Sequence, residues 1–240
     1  MSNKIALVFG GTRGIGAACV RKLAESGCDV AYTYVSSAPD LPARIGASRT
    51  QGYAANITDA AQVARVFEAV AKDFGAAPHC VVANAGINVP PGPMAQFNPD
   101  DFRRLVEVNI VGAFNVLQQA ARHVVDGGSI IALTTSMVRV GIPGGGPYTA
   151  TKAAVESLVR SMAKELAGRR IRVNAVAPGP VDTDLFHAGK TDEVKARSAA
   201  LSPFNRIGRP DEVAEVVSFL VSDKASWIHG QVIQPNGGMV

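Results

Sequence analysis

Short apolar runs alternate along this chain with longer stretches in which apolar residues recur every third or fourth position. The runs at residues 4–9 (KIALVF), 29–34 (DVAYTY), 79–83, 130–135 and 171–176 read as buried strands, because glycine, proline or asparagine bounds them before a helix could form. Residues 52–55 and 231–234 read as two weaker strands. Between them, Ile15, Cys19 and Leu23 mark a helix closed by Gly27, and Val63, Phe67, Val70 and Phe74 mark another from about Thr58 or Asp59 to Gly75. Asn98-Pro99 opens a long helix to His123 with Phe102, Leu105, Asn109, Gly112 and Val116 on one stripe. A second long helix runs over residues 148–167 on Ala154, Leu158, Met162 and Leu166, and a last one starts at Pro210-Asp211.

Strands alternating with helices predict an α/β fold. We expect a single-domain, doubly wound parallel sheet of about seven strands, with helices on both faces and the site in loops at the strands' carboxyl ends. Two segments break the pattern. Residues 36–50 hold Pro39 and Pro42 and little helical periodicity, so the crossover helix there is short or broken. Residues 183–206 are polar and unperiodic, which predicts a lid or a disordered loop. At 240 residues, 47% hydrophobic, the chain can bury a full core, and no apolar run is long enough to span a membrane.

Composition excludes several function classes. Cys19, Cys28 and Cys80 lie in apolar surroundings without metal-ligand spacing, and His79, His123, His187 and His229 are scattered singly, so no metal site is expected. Buried free thiols and the lack of a signal sequence suit a reducing, cytoplasmic setting. The net charge of +4 is spread out, with only short Arg103-Arg104 and Arg169-Arg170-Arg172 clusters and few aromatics, which argues against nucleic acid.

Two stretches carry chemistry. Residues 4–9 lead directly into Gly10-Gly11-Thr12-Arg13-Gly14-Ile15-Gly16 and then a helix, an arrangement whose glycines and free helical N–H groups suit a pyrophosphate. Tyr148 and Lys152, four apart, leave the same helix face, where an ammonium would lower the phenol's pKa and fit it for proton transfer to an alcohol-level oxygen. Ser136, just past a buried strand, could hold the same oxygen.

Gly10-x-x-x-Gly14-x-Gly16, Asn84-Ala85-Gly86, Asn109, Ser136, Tyr148-x-x-x-Lys152, Pro178-Gly179 and Thr183 occur in an order and spacing that resemble the short-chain dehydrogenase/reductase family over the whole chain. The resemblance implies a catalytic tetrad: Tyr148 as acid/base, Ser136 holding the reacting oxygen, Lys152 tuning the tyrosine and holding the nicotinamide ribose, and Asn109 fixing a proton-relay water. It implies a cofactor held by Gly10, Thr12, Arg13, Gly14, Ile15 and Gly16 at the phosphates, by Tyr34, Ser36 and Ser37 near the adenosine ribose, and by Asn56 and Ile57 at the adenine. Asn84, Ala85, Gly86, Tyr148 and Lys152 would face its middle, with Pro178, Gly179, Val181 and Thr183 at the carboxamide. Phe9, Ala83 and Asn56 depart from the family pattern, where threonine, asparagine and aspartate are usual; none touches the chemistry.

Tyr34 stands where a carboxylate would select NAD, and Arg13, Ser36 and Ser37 are placed for a 2′-phosphate, so NADP(H) is expected over NAD(H). The implied reaction is ketone–secondary alcohol interconversion on a small molecule. A 3-oxoacyl-thioester reductase is one form of it, and Gly237-Gly238 suits that group; the alternative is a non-catalytic nucleotide-binding sensor or scaffold. Small residues on the two long helices, with the family resemblance, imply a homotetramer or homodimer.

Overall fold

A computed structural model describes residues 4–36 and 41–240. Ser37 and Asp40 therefore lie outside the described residues. The chain runs β1 (Ile5–Phe9), α1 (Gly14–Glu25), β2 (Asp29–Tyr34), β3 (Arg44–Ile45), β4 (Ser48–Ala54), α2 (Ala60–Phe74) and β5 (Cys80–Ala83). It continues with α3 (Pro99–Val106), a π-helical turn (Glu107–Gly112), α4 (Ala113–His123), β6 (Ser129–Leu133), α5 (Met137–Val140) and α6 (Gly146–Leu166). Then follow β7 (Arg172–Val176), α7 (Asp184–His187), α8 (Asp192–Ala200), α9 (Pro210–Val221) and β8 (Val232–Ile233).

The sheet order is β3-β4-β2-β1-β5-β6-β7-β8, parallel throughout except for the two-residue β3, which pairs antiparallel with β4. Successive residues of β1 feed opposite cores: Ile5, Leu7 and Phe9 pack with α2, α4 and α6, while Ala6 and Val8 pack with α1 and α9. A strand buried on both faces cannot alternate in polarity, which is why KIALVF reads as a continuous apolar run. Because β2 and β5 flank β1, the winding reverses there, and the crevice at the carboxyl ends of β1 and β5 is where such sheets bind ligands.

Four elements differ from the sequence expectation. The weak strand expected at 52–55 is the longer β4, whose polar first half is satisfied by neighbours: Ser48 Oγ donates to Ala24 O (2.7 Å) and Arg49 N to Asp29 Oδ1 (2.7 Å). The single long helix after Asn98 is interrupted by the π turn. Phe102, placed on that helix's buried stripe, is 41% exposed, whereas Leu105, Asn109, Gly112 and Val116 are buried. The 183–206 segment is not a structureless loop. It forms α7 and α8, capped by the side chains of Thr183 and Thr191, and α8 buries no residue, so it leaves no apolar stripe to read.

Candidate active site

The glycine loop between β1 and α1 is shaped for close backbone approach. Gly10 and Gly14 hold φ of 76° and 53°, and a Cβ on Gly16 would lie 1.9 Å from the Gly10 carbonyl oxygen. Two side chains brace it: Gly10 N donates to Thr33 Oγ1 (3.1 Å), and Asn84 Nδ2 donates to Gly10 O (2.8 Å). Thr33 was not singled out from sequence; the one signal available was a polar residue inside a buried parallel strand. Asn84 thus joins the ends of β1 and β5 and works on the loop's backbone. Thr183 approaches the same loop, its Cγ2 3.1 Å from where a Cβ on Gly14 would sit.

Arg13, expected at the 2′-phosphate, is exposed at the N-cap of α1, where its carbonyl accepts from Ala17 N (3.2 Å) and its guanidinium makes no hydrogen bond or ion pair with any described residue. Tyr34 ends β2 half-buried, with Ser36 exposed beyond it. Asn56 is exposed past β4, its Oδ1 accepting from Thr58 N (3.1 Å), while Ile57 is buried against Gly112. The cradle built by the glycines and the unpaired guanidinium at its edge fit a dinucleotide bearing an extra phosphate.

The four expected catalytic residues come from three elements. Ser136 follows β6 and is fully buried; Tyr148 and Lys152 lie on the first turns of α6; Asn109 sits in the π turn. Asn109 pairs with the Ile87 backbone in both directions, Oδ1 accepting from Ile87 N and Nδ2 donating to Ile87 O, each at 2.9 Å. Its Nδ2 also reaches Thr151 Oγ1 (3.2 Å), whose hydroxyl donates to Tyr148 O (2.7 Å). Asn109 thereby ties the loop after β5 to the start of α6. A Cβ on Gly86 would come within 3.0 Å of Asn109 Oδ1 and 3.3 Å of Lys152 Nζ, so this glycine leaves room for both.

Lys152 Nζ donates to Leu133 O (3.0 Å), and burial pulls its pKa down from 10.5 to about 8. Burial pushes the Tyr148 phenol up to about 12. The expected lowering of Tyr148 by Lys152 is therefore not seen in this structure. Desolvation dominates at both groups, and the ammonium is turned toward a backbone carbonyl. Tyr148 Oη makes no hydrogen bond with any described residue and is left free to meet an incoming oxygen.

A buried carboxylate, unforeseen in the sequence, holds this corner together. Glu156 lies one turn beyond Lys152, with its side chain 3% exposed, and takes both Arg139 guanidinium nitrogens at 3.0 Å and the Thr134 hydroxyl at 3.2 Å. It clamps the segments on either side of Ser136 to the helix that carries Tyr148.

This fold and site define an α/β protein with a doubly wound parallel sheet, a glycine loop after its first strand and a buried lysine one turn from a free tyrosine hydroxyl. A sequence profile described as "Enoyl-(Acyl carrier protein) reductase" matches residues 10–240. A curated relative, the "NADPH-dependent aldehyde reductase-like protein, chloroplastic" of Arabidopsis thaliana, is 39% identical over 257 residues, covering 100% of this chain and 95% of the relative. The "3alpha-hydroxysteroid dehydrogenase" of Mediterraneibacter gnavus is 36% identical, covering 99% of this chain and 97% of that one. A solved short-chain dehydrogenase from Burkholderia cenocepacia, in complex with NADP, superposes with a TM-score of 0.89 at 33% identity, covering 98% of this chain and 97% of its own. The chain belongs to the short-chain dehydrogenase/reductase family and is an oxidoreductase. Among the described residues no helix is long and apolar enough to cross a membrane.

Proposed function

We propose that this enzyme interconverts a ketone and a secondary alcohol with NADP(H), Tyr148 acting as general acid/base. The observation that carries the reading is the unpartnered Tyr148 hydroxyl on the helix turn of buried Lys152, beside the braced glycine loop. When bound, the cofactor supplies the hydride at carbon. With its pKa near 12, Tyr148 is protonated at neutral pH and gives that proton to the carbonyl oxygen. Ser136 holds the same oxygen, and Lys152, its pKa pulled down by burial to about 8, replaces the phenolic proton. Asn109 ties the Ile87 backbone to the start of α6, which carries Tyr148 and Lys152. The 183–206 segment is the lid, and a 3-oxoacyl thioester is one substrate the reading includes. The test is absorbance-monitored NADPH oxidation against hexanal, a 3-oxosteroid, acetoacetyl thioester and crotonyl thioester. Reduction of a ketone supports the reading, whereas turnover of hexanal alone replaces it with aldehyde reduction and turnover of crotonyl thioester alone with alkene reduction.

NADP(H) is preferred over NAD(H) in this reading. The Arg13 guanidinium has no partner among the described residues, and Tyr34 offers no carboxylate to repel a 2′-phosphate. A charge-assisted bond to phosphate contributes about 1.5–3 kcal/mol, or roughly a tenfold to hundredfold preference. Comparison of kcat/KM for the two cofactors should show that preference, diminished in Arg13→Ala and lost or reversed in Tyr34→Asp. A wild type favouring NADH overturns it.

The assembly we propose is a homotetramer or homodimer through α3–α4 and α6. Phe102, Val111 and Phe114 on the first of these are 41%, 38% and 45% exposed in the single chain. Light scattering at micromolar concentration should give the mass of two or four chains, and a monomer there contradicts the proposal.

A further inference from the structure

Ser136 has one hydroxyl proton and two lone pairs with which to serve a substrate oxygen. In the structure the proton is already given away: Oγ donates to Ala177 O at 2.6 Å. One lone pair is taken as well, because Asn236 Nδ2 donates to Oγ at 3.1 Å across 100 residues of chain. To polarise a carbonyl, Ser136 has to swing its proton from Ala177 to the substrate. If the Ala177 bond were its sole anchor, that swing would release the oxygen at the moment it is needed. Asn236 supplies a second anchor that the swing does not break.

Asn236 is itself held from several directions. Its Oδ1 accepts from Gly238 N (3.0 Å) and Met239 N (3.2 Å), so the amide is oriented with its NH₂ toward Ser136. The segment around it is pinned by Gly179 N donating to Pro235 O (3.2 Å) and by buried Ser202 Oγ donating to Gly237 O (2.7 Å). Gly179 lets the segment come close, since a Cβ there would lie 3.1 Å from Asn236 Cα. Ser202 belongs to the 183–206 segment, so the residues that fix Asn236 run from that segment to the reacting centre.

We propose that Asn236 is a positioning residue for carbonyl reduction: it holds the Ser136 oxygen in place while the hydroxyl proton turns from Ala177 to the substrate. The proposal rests on the assignment of Ser136 to the substrate oxygen made above. It adds a residue from the end of the sheet that no motif of the sequence singled out.

The test is a double-mutant cycle, run with NADPH and the panel carbonyl that the wild type reduces fastest. Asn236→Ala and Asn236→Leu both remove the donor, and Leu keeps the branched shape against Gly179. A cooperative melt close to wild type qualifies each variant for kinetics. Losing one neutral hydrogen bond's hold on Ser136 should lower kcat/KM about tenfold in the wild-type background. In the Ser136→Ala background the same substitutions should change it less than about twofold, because the group they act through is gone. NADPH affinity, read by fluorescence titration, should be unchanged throughout. An equal fall in both backgrounds means that Asn236 acts only by holding the tail, and no fall in the wild-type background means that it does not act on catalysis; either overturns the inference alone. If Ser136→Ala itself keeps wild-type turnover, the assignment of Ser136 fails and takes this inference with it.

Discussion

Replacing Tyr148 by Phe should lower carbonyl turnover by about 10²–10⁴-fold while leaving stability and NADPH binding unchanged. The reason lies in what the hydroxyl does not do. Tyr148 Oη has no hydrogen-bond partner among the described residues, so its removal leaves no orphaned donor or acceptor behind. Its ring stays half-buried at the start of α6, and the phenylalanine ring fills the same space. The backbone contacts that place the residue run through Thr151 Oγ1 to Tyr148 O and survive the change. A fall in kcat therefore reports lost proton transfer rather than a damaged site. Urea unfolding and fluorescence titration of NADPH establish that both proteins are equally folded and equally loaded. If Tyr148→Phe then turns over near the wild-type rate, Tyr148 is not the acid.

The parts of this molecule legible from sequence are those whose physics is local. β2 was readable to the residue, because a buried strand bounded by Gly27-Cys28 on one side and Val35-Ser36 on the other carries its own limits. The glycine loop and the Tyr148–Lys152 pair were readable because their chemistry depends on spacings of a few residues. What was not legible depends on partners far along the chain. Thr33 acts on Gly10 across 23 residues, and Asn236 on Ser136 across 100, and neither separation leaves a periodic trace. The π turn at Glu107–Gly112 inserts a register change that alters no composition, yet it is where Asn109 sits. α7 and α8 are set by threonine caps and lie on the surface, so no apolar stripe announced them. The tyrosine's acidity is not legible from spacing for a related reason. Spacing places an ammonium beside a phenol, but burial decides how far each is shifted, and burial is a property of the whole fold.

Glu156 illustrates how stability and catalysis meet at this site. A buried carboxylate is a weak source of stability on its own, since desolvation offsets much of the attraction of its partners. Here it binds Arg139 and Thr134, which lie three residues after and two residues before Ser136. The pair therefore sets where the serine sits relative to α6, and the same helix presents Lys152 one turn earlier. Charges that contribute little to holding the fold together are thus kept where they hold the reacting groups together.

Exchanging Lys152 for Met should make the protein more stable at neutral pH while lowering turnover by about 10²–10⁴-fold. Lys152 is 7% exposed, and burial alone moves its pKa from 10.5 to about 8. A displacement of that size corresponds to a penalty of about 3 kcal/mol on the folded state when the lysine is charged. Below about 8 both folded and unfolded chains hold the proton, so the full penalty applies. Between about 8 and 10.5 the unfolded chain still binds a proton that the folded chain has released, so wild-type stability rises with pH. Above 10.5 the penalty is gone. Met fills a similar volume without charge but gives up the bond from Nζ to Leu133 O, a loss of about 1 kcal/mol. The variant should therefore be more stable by about 2 kcal/mol at neutral pH, a lead that is lost before pH reaches 10.5, above which the variant is the less stable by about 1 kcal/mol. Tyr148, raised from 10.0 to about 12, is present in both proteins and cancels from the difference. Urea unfolding of the two proteins across this range measures the gap directly. A gap that does not change with pH would mean that Lys152 is not held as a buried, strained ammonium, and the proton supply we assign to it would lose its physical basis.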